Sequence, residues 1–119
     1  MRLSARVASI VATVIMLGTM SATALAARSH SAAKAVTVTM SEFKFKLSAA
    51  SVPHGAVVFT VVNKGALAHD FKIAGKKTPL IKPGKSAKLS VTLKAGKLAY
   101  ICSVAGHAAA GMKGTLTVK

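Results

Sequence analysis

The chain has 119 residues, a formal net charge of +15 and 52% hydrophobic residues. That length holds one domain and excludes large catalytic architectures such as an α/β barrel of roughly 200 residues or more. The hydrophobic content excludes a disordered chain despite the charge, and the single cysteine excludes an intrachain disulfide framework or any four-cysteine metal site.

The chain opens on Arg2 and Arg6, continues through an uncharged, mostly apolar run from Val7 to Met20, and then turns to small residues through Ala27. This is the order of parts in a secretory signal peptide. Ala24-Leu25-Ala26 supplies the A-x-A pattern, so residues 1–26 read as a leader cut after Ala26. A cut after Ala27 and retention as an N-terminal anchor are the alternatives. The apolar run is short against the ~20 residues that a membrane span needs. The expectation is an exported protein, periplasmic or extracellular. Loss of Arg2 and Arg6 lowers the charge from +15 to +13, with Glu42 and Asp70 as the two acids.

Residues 27–34 read as a polar linker, and residues 35–119 as one domain in which the hydrophobic period is two. Val36, Val38 and Met40 alternate with threonines; Phe43, Phe45 and Leu47 alternate with Lys44 and Lys46. Ala56–Val62 is a nearly continuous apolar run. His69, Phe71 and Ile73 alternate with Asp70 and Lys72, so His69 opens a strand and points inward. Leu89, Val91 and Leu93 form another set, Leu98, Tyr100 and Cys102 share one parity, and Leu116 and Val118 close the chain. Between these segments stand Pro53-His54-Gly55, Asn63-Lys64-Gly65, Pro83-Gly84 and Ala95-Gly96, which is turn chemistry. The pattern predicts an all-β, Greek-key antiparallel sandwich of seven to eight strands.

Basic charge raises nucleic acid as a partner, but the aromatics fall largely at inward strand positions and form no stacking platform. No nucleic acid is therefore expected. Lysines alternating with apolar residues are first of all solvated strand faces that discourage edge pairing. As a functional feature they would steer the chain toward an acidic partner or an anionic membrane surface.

The chemistry lies between Tyr100 and Lys119. Cys102, His107 and Met112 are spaced C-x4-H-x4-M in a loop between two strands, and Gly106, Gly111 and Gly114 let that loop bend. His69 adds a second imidazole. Two imidazoles, a thiolate and a weak axial thioether are the ligand set of a mononuclear blue-copper site, which serves both Cu(I) and Cu(II). Zinc suits it less, since thioether is a poor zinc ligand. His54 belongs to a turn expected at the opposite end of the sheet, and His30 to the linker. Were the leader cut after Ala27, Arg28-Ser29-His30 would form an amino-terminal copper or nickel chelate.

Residues 63–71, N-K-G-A-L-A-H-D-F, and residues 100–114, Y-I-C-S-V-A-G-H-A-A-A-G-M-K-G, together with the strand pattern, resemble the cupredoxins, the small blue-copper proteins that include plastocyanin, azurin, auracyanin and rusticyanin. The loop spacing is most similar to auracyanin and rusticyanin; where many members carry a proline before the glycine of this loop, Ala105 stands here. The resemblance implies one copper per chain and a monomeric one-electron carrier. Its partners would be redox proteins such as cytochromes or a membrane oxidase, acidic at the docking face. It also implies a surround of Ala68, Asp70 and Ser103, with Asp70 tying the first ligand loop to Ser103. His107 is the implied electron port, set among Ala108, Ala109 and Ala110, with Lys64 and Lys113 as a basic rim. No enzyme is expected: Cys102 is flanked by Ile101 and Ser103, where copper reductases and oxidases carry histidines. The rival function is an extracytoplasmic copper carrier or store with the same ligands and no primary redox role.

Overall fold

The computed structural model describes residues 32–119; the leader, residues 1–26, and linker residues 27–31 lie outside them. Nine strands follow in order: β1 (Lys34–Ser41), β2 (Lys44–Leu47), β3 (Ser51–Val52), β4 (Gly55–Asn63), β5 (Lys72–Ile73), β6 (Lys76–Lys77), β7 (Ser86–Leu93), β8 (Gly96–Ile101) and β9 (Lys113–Val118). They form one sheet in the order β2-β1-β4-β7 and a second in the order β3-β9-β8-β5-β6. The chain crosses between the sheets repeatedly, as a Greek-key sandwich does. Among the described residues no helix is long and apolar enough to cross a membrane.

Alternation decides which face is buried. Val36, Val38 and Met40 of β1, Val57, Phe59 and Val61 of β4, and Val91 and Leu93 of β7 share one core with Ile73, Leu116 and Val118 of the other sheet and with Phe71 just before β5. The long apolar run of β4 resolves the same way, with Val57, Phe59 and Val61 buried and Val58, Thr60 and Val62 only partly so. Phe45, Phe71, Phe59 and Tyr100 fill the centre with edge-on and tilted ring contacts, the arrangement that the ring quadrupole favours.

Three expectations need correcting. The sheets are mixed: β1 pairs with β4 in parallel, from Lys34↔Val57 to Met40↔Asn63, and β3 pairs with β9 in parallel. Two strands that run the same way need a crossover between them, and β2 and β3 supply it for β1 and β4. There are nine strands because two-residue fragments, β3 and β6, add to the seven alternating segments. His69 does not open a strand. It forms an isolated bridge with Ile81, its N–H donating to the Ile81 carbonyl at 3.1 Å and its carbonyl accepting from Ile81 N–H at 2.8 Å; β5 starts only at Lys72.

The parallel pair β1 and β4 ends on one side of the molecule, where β9 begins and β8 finishes. The β1–β2 turn, the β4–β5 loop and the β8–β9 loop therefore meet at that end. His54 lies at the other end, its Nδ1 2.8 Å from the Lys119 carbonyl oxygen, as its turn position predicts.

Candidate metal centre

The β4–β5 loop carries His69, and a buried amide shapes it. Asn63 Nδ2 donates to the carbonyls of Leu67 and Ile81, both at 2.8 Å, and its Oδ1 accepts from Gly65 N–H at 2.9 Å. All of this happens at a side chain with no exposed surface, where an unpaired polar group would cost about 1–3 kcal/mol. Asn63 therefore closes the loop and ties it to Ile81, the residue that bridges His69.

The β8–β9 loop brings the other candidates. Cys102 N–H donates to the Met112 carbonyl at 3.0 Å, and Met112 N–H donates to the His107 carbonyl at 3.0 Å. Between them residues 104–111 wind as successive tight turns, with Ala110 N–H reaching Gly106 and His107 carbonyls. Gly106 at φ 81° and Gly111 at φ 115° take up conformations that a side chain resists. The loop thus clasps Cys102, His107 and Met112 into one compact unit, with Cys102 and Met112 buried and His107 half-buried.

His69 Nδ1 lies 3.0 Å from His107 Nδ1 and 4.0 Å from Cys102 Sγ, and Cys102 Sγ lies 3.6 Å from His107 Nδ1. One donor atom from each of the three residues falls within 4.8 Å of the others. Nitrogen and sulfur donors ~2.0–2.3 Å from one ion, spread in a plane, stand about 3.5–3.8 Å apart, so the spacing fits a single cation. Two ring nitrogens facing each other at 3.0 Å repel unless a proton or a cation lies between them. Burial pushes the Cys102 thiol up from its ordinary value, which favours the protonated sulfur; a bound cation would take the proton's place and make it a thiolate.

Asp70 is buried and joins the two loops. Its Oδ1 accepts from Ser103 N–H at 2.6 Å and its Oδ2 accepts from the Ser103 hydroxyl, the pairing that the sequence resemblance implied. Ala68 is half-buried beside His69. After His107, Ala108 is half-buried and Ala109 and Ala110 are exposed; Lys113, at the start of β9, and Lys64, in the β4–β5 loop, are exposed as well.

Two residues escaped the sequence reading. Phe43, expected as an inward strand residue, sits on the β1–β2 turn, partly exposed, with its ring edge-on to His107 at 5.2 Å. Glu42, beside it, accepts three hydrogen bonds on one oxygen: from Ala66 N–H at 2.7 Å, Leu67 N–H at 2.8 Å and His69 Nε2 at 3.2 Å. The Leu67 amide foremost, with Glu42's own amide, the His69 ring and the Ala66 amide, brings the carboxyl down to about 2 against an opposing effect of desolvation. The signal for Glu42 was present in the composition: it is one of two acids in the chain.

The profile of the cupredoxin-like domain family matches residues 9–118. The copper-resistant cuproprotein CopI of Pseudomonas aeruginosa is 51% identical over 41 residues, 34% of this chain and 23% of that protein. The matched segment thus spans about a quarter of that relative's length. Among solved structures, reduced auracyanin from Roseiflexus castenholzii superposes with a TM-score of 0.63 at 17% identity, covering 73% of this chain and 98% of that one. Auracyanin B gives 0.62 at 22% identity, covering 73% and 89%. The azurin iso-2 of Methylomonas sp. strain J gives 0.59 at 18% identity, covering 74% and 99%. At these identities the structural likeness is one of fold.

Proposed function

This chain belongs to the cupredoxin-like domain family, and from that premise we propose that it is a mononuclear type 1 copper protein that carries single electrons between extracytoplasmic redox partners. The observation that carries the reading is the convergence of His69 Nδ1, Cys102 Sγ and His107 Nδ1 within 4.8 Å. These three would hold one copper ion per chain, with the Met112 thioether as a weaker fourth ligand. When bound, copper supplies a Cu(I)/Cu(II) couple, and the thiolate and thioether suit the first state while the imidazoles suit both.

The chain's own part is to keep the ligands where they are. Asn63 holds the His69 loop, the Cys102–Met112 backbone bond closes the other loop, and Asp70 joins the two. A site so braced changes little between oxidation states, which favours fast exchange. His107, half-exposed, is the proposed port. An exported location follows from the leader reading of residues 1–26, and an acidic partner from the basic surface.

Cu(II) added to the mature protein should produce an intense visible band from thiolate-to-copper charge transfer. Cys102→Ser should abolish it. A wild-type protein with no such band would refute the copper reading. A second reading, copper carriage or storage, has the likeness to a protein described as a copper-resistant cuproprotein in its favour. Reversible voltammetry with rapid exchange to a cytochrome supports the electron carrier, whereas rapid copper release to a partner apoprotein supports the metal carrier.

A further inference from the structure

We propose that Glu42 is a positioning residue for the metal centre, holding His69 in the Nε2–H tautomer so that Nδ1 is free to bind, and biasing the bound metal toward its higher charge. The tautomer half stands on the metal-free geometry; the redox half rests on the copper reading above.

A carboxylate only accepts hydrogen bonds. With Glu42 Oε1 at 3.2 Å from His69 Nε2, the neutral ring must carry its one proton on Nε2, which leaves a lone pair on Nδ1, the atom that faces Cys102 and His107. The same oxygen is held by the amides of Ala66 and Leu67, so turning away would give up both bonds to water. The loop is shaped around it: a Cβ on Gly65 would collide with the Glu42 carboxylate, although Gly65 is not among the residues with positive φ.

The charge pattern points the same way. The chain has 17 basic residues and two acids. Those acids, Glu42 and Asp70, contact the His69 ring and the residue after Cys102 respectively. A carboxylate hydrogen-bonded to the outer nitrogen of a ligating imidazole makes that ring a stronger donor. It stabilises a doubly charged ion more than a singly charged one.

Three variants test this. In metal-free wild type, ring ¹⁵N–¹H correlation spectra should show His69 as the Nε2–H form. Glu42→Ala should populate the Nδ1–H form, whereas Glu42→Gln should not, because the two backbone amides keep its carbonyl oxygen in place. In copper-loaded protein, Glu42→Gln should keep the visible band and lose about tenfold in Cu(II) affinity relative to Cu(I), a rise of ~59 mV in potential. Gly65→Ala should raise the potential on its own but add nothing in the Glu42→Ala background, since both act by removing one carboxylate. An unchanged tautomer in Glu42→Ala, an unchanged potential in Glu42→Gln, or additive effects of Gly65→Ala and Glu42→Ala would overturn the proposal. A wild type that takes up no copper would sink the proposed function, while the tautomer measurement would still decide the first half of this one.

Discussion

Asp70 and Glu42 do different work, one beside His69 in the chain and the other against its ring. Asp70 spends both oxygens on Ser103, bridging the two loops that hold His69 and Cys102. In Asp70→Asn one amide oxygen still accepts from Ser103 N–H, and the Ser103 hydroxyl can reverse to meet the new NH₂ group. The connection survives and the charge is lost. The potential of the copper-loaded protein should therefore rise while the visible band remains. The domain should lose about 1 kcal/mol, as a charged acceptor is replaced by a neutral one; voltammetry and urea unfolding check the two effects. The side-chain chemistry here was unevenly legible. His69, Cys102, His107 and Met112 announce themselves by type and spacing, and Asp70 and Ser103 by neighbouring them. Glu42 lies 24 to 27 positions before its partners, in a tight turn where a glutamate reads as an ordinary solvated loop residue. Only the fold brings that turn beside the histidine loop. Phe43 misled for the same reason: a period of two continued one residue past the end of a strand.

At the level of strands, period and parity were readable because each long strand buries one face. Direction was not. The apolar alternation of β1 and β4 is the same whether they run parallel or antiparallel, and what decides is the pair of crossovers through β2 and β3. Of the fragments β5 and β6, the second was invisible because two residues carry no period, and the first was read as the end of a strand that His69 opened. The two are joined by Ala74 and Gly75, both at positive φ, 51° and 75°. That is the two-residue mirror-image turn that matches the twist of a hairpin. Its first position favours asparagine or glycine, and alanine there carries a left-handed penalty of about 1 kcal/mol. Ala74→Asn should thus stabilise the domain by about 1 kcal/mol, raising the melting temperature by roughly 4–8 °C for a domain of this size. The copper spectrum should not change, as the turn lies outside the two loops that supply the ligands. A lower melting temperature would mean that the alanine methyl makes a contact worth more than the strain.

For the molecule as a whole, charge and shape divide the surface. Lysines sit on the exposed faces of β1, β2, β5, β6, β7 and β8, which guards the edge strands β2, β6 and β7 against pairing with other chains. The metal end differs: Phe43 and Leu67 are exposed there, 37% and 47%, with Ala109 and Ala110 on the loop after His107. In the proposed electron carrier, a small apolar patch around a half-exposed imidazole, with Lys64 and Lys113 as its basic rim, would be the face offered to a partner whose own rim is acidic. Docking there requires the patch to lose its water. In Ala109→Asp a carboxylate must be desolvated or held against like charge, and either costs at least ~1.4 kcal/mol, about tenfold in affinity. Stopped-flow exchange with an acidic c-type cytochrome should therefore slow by about tenfold or more, with the visible band and potential nearly unchanged because residue 109 supplies no ligand. Lys64→Gln with Lys113→Gln should act otherwise, lowering the association rate mainly at low salt and flattening its dependence on ionic strength. An Ala109→Asp protein that exchanges electrons as fast as wild type would place the partner on another face, and the basic strand surfaces would then become the site to probe.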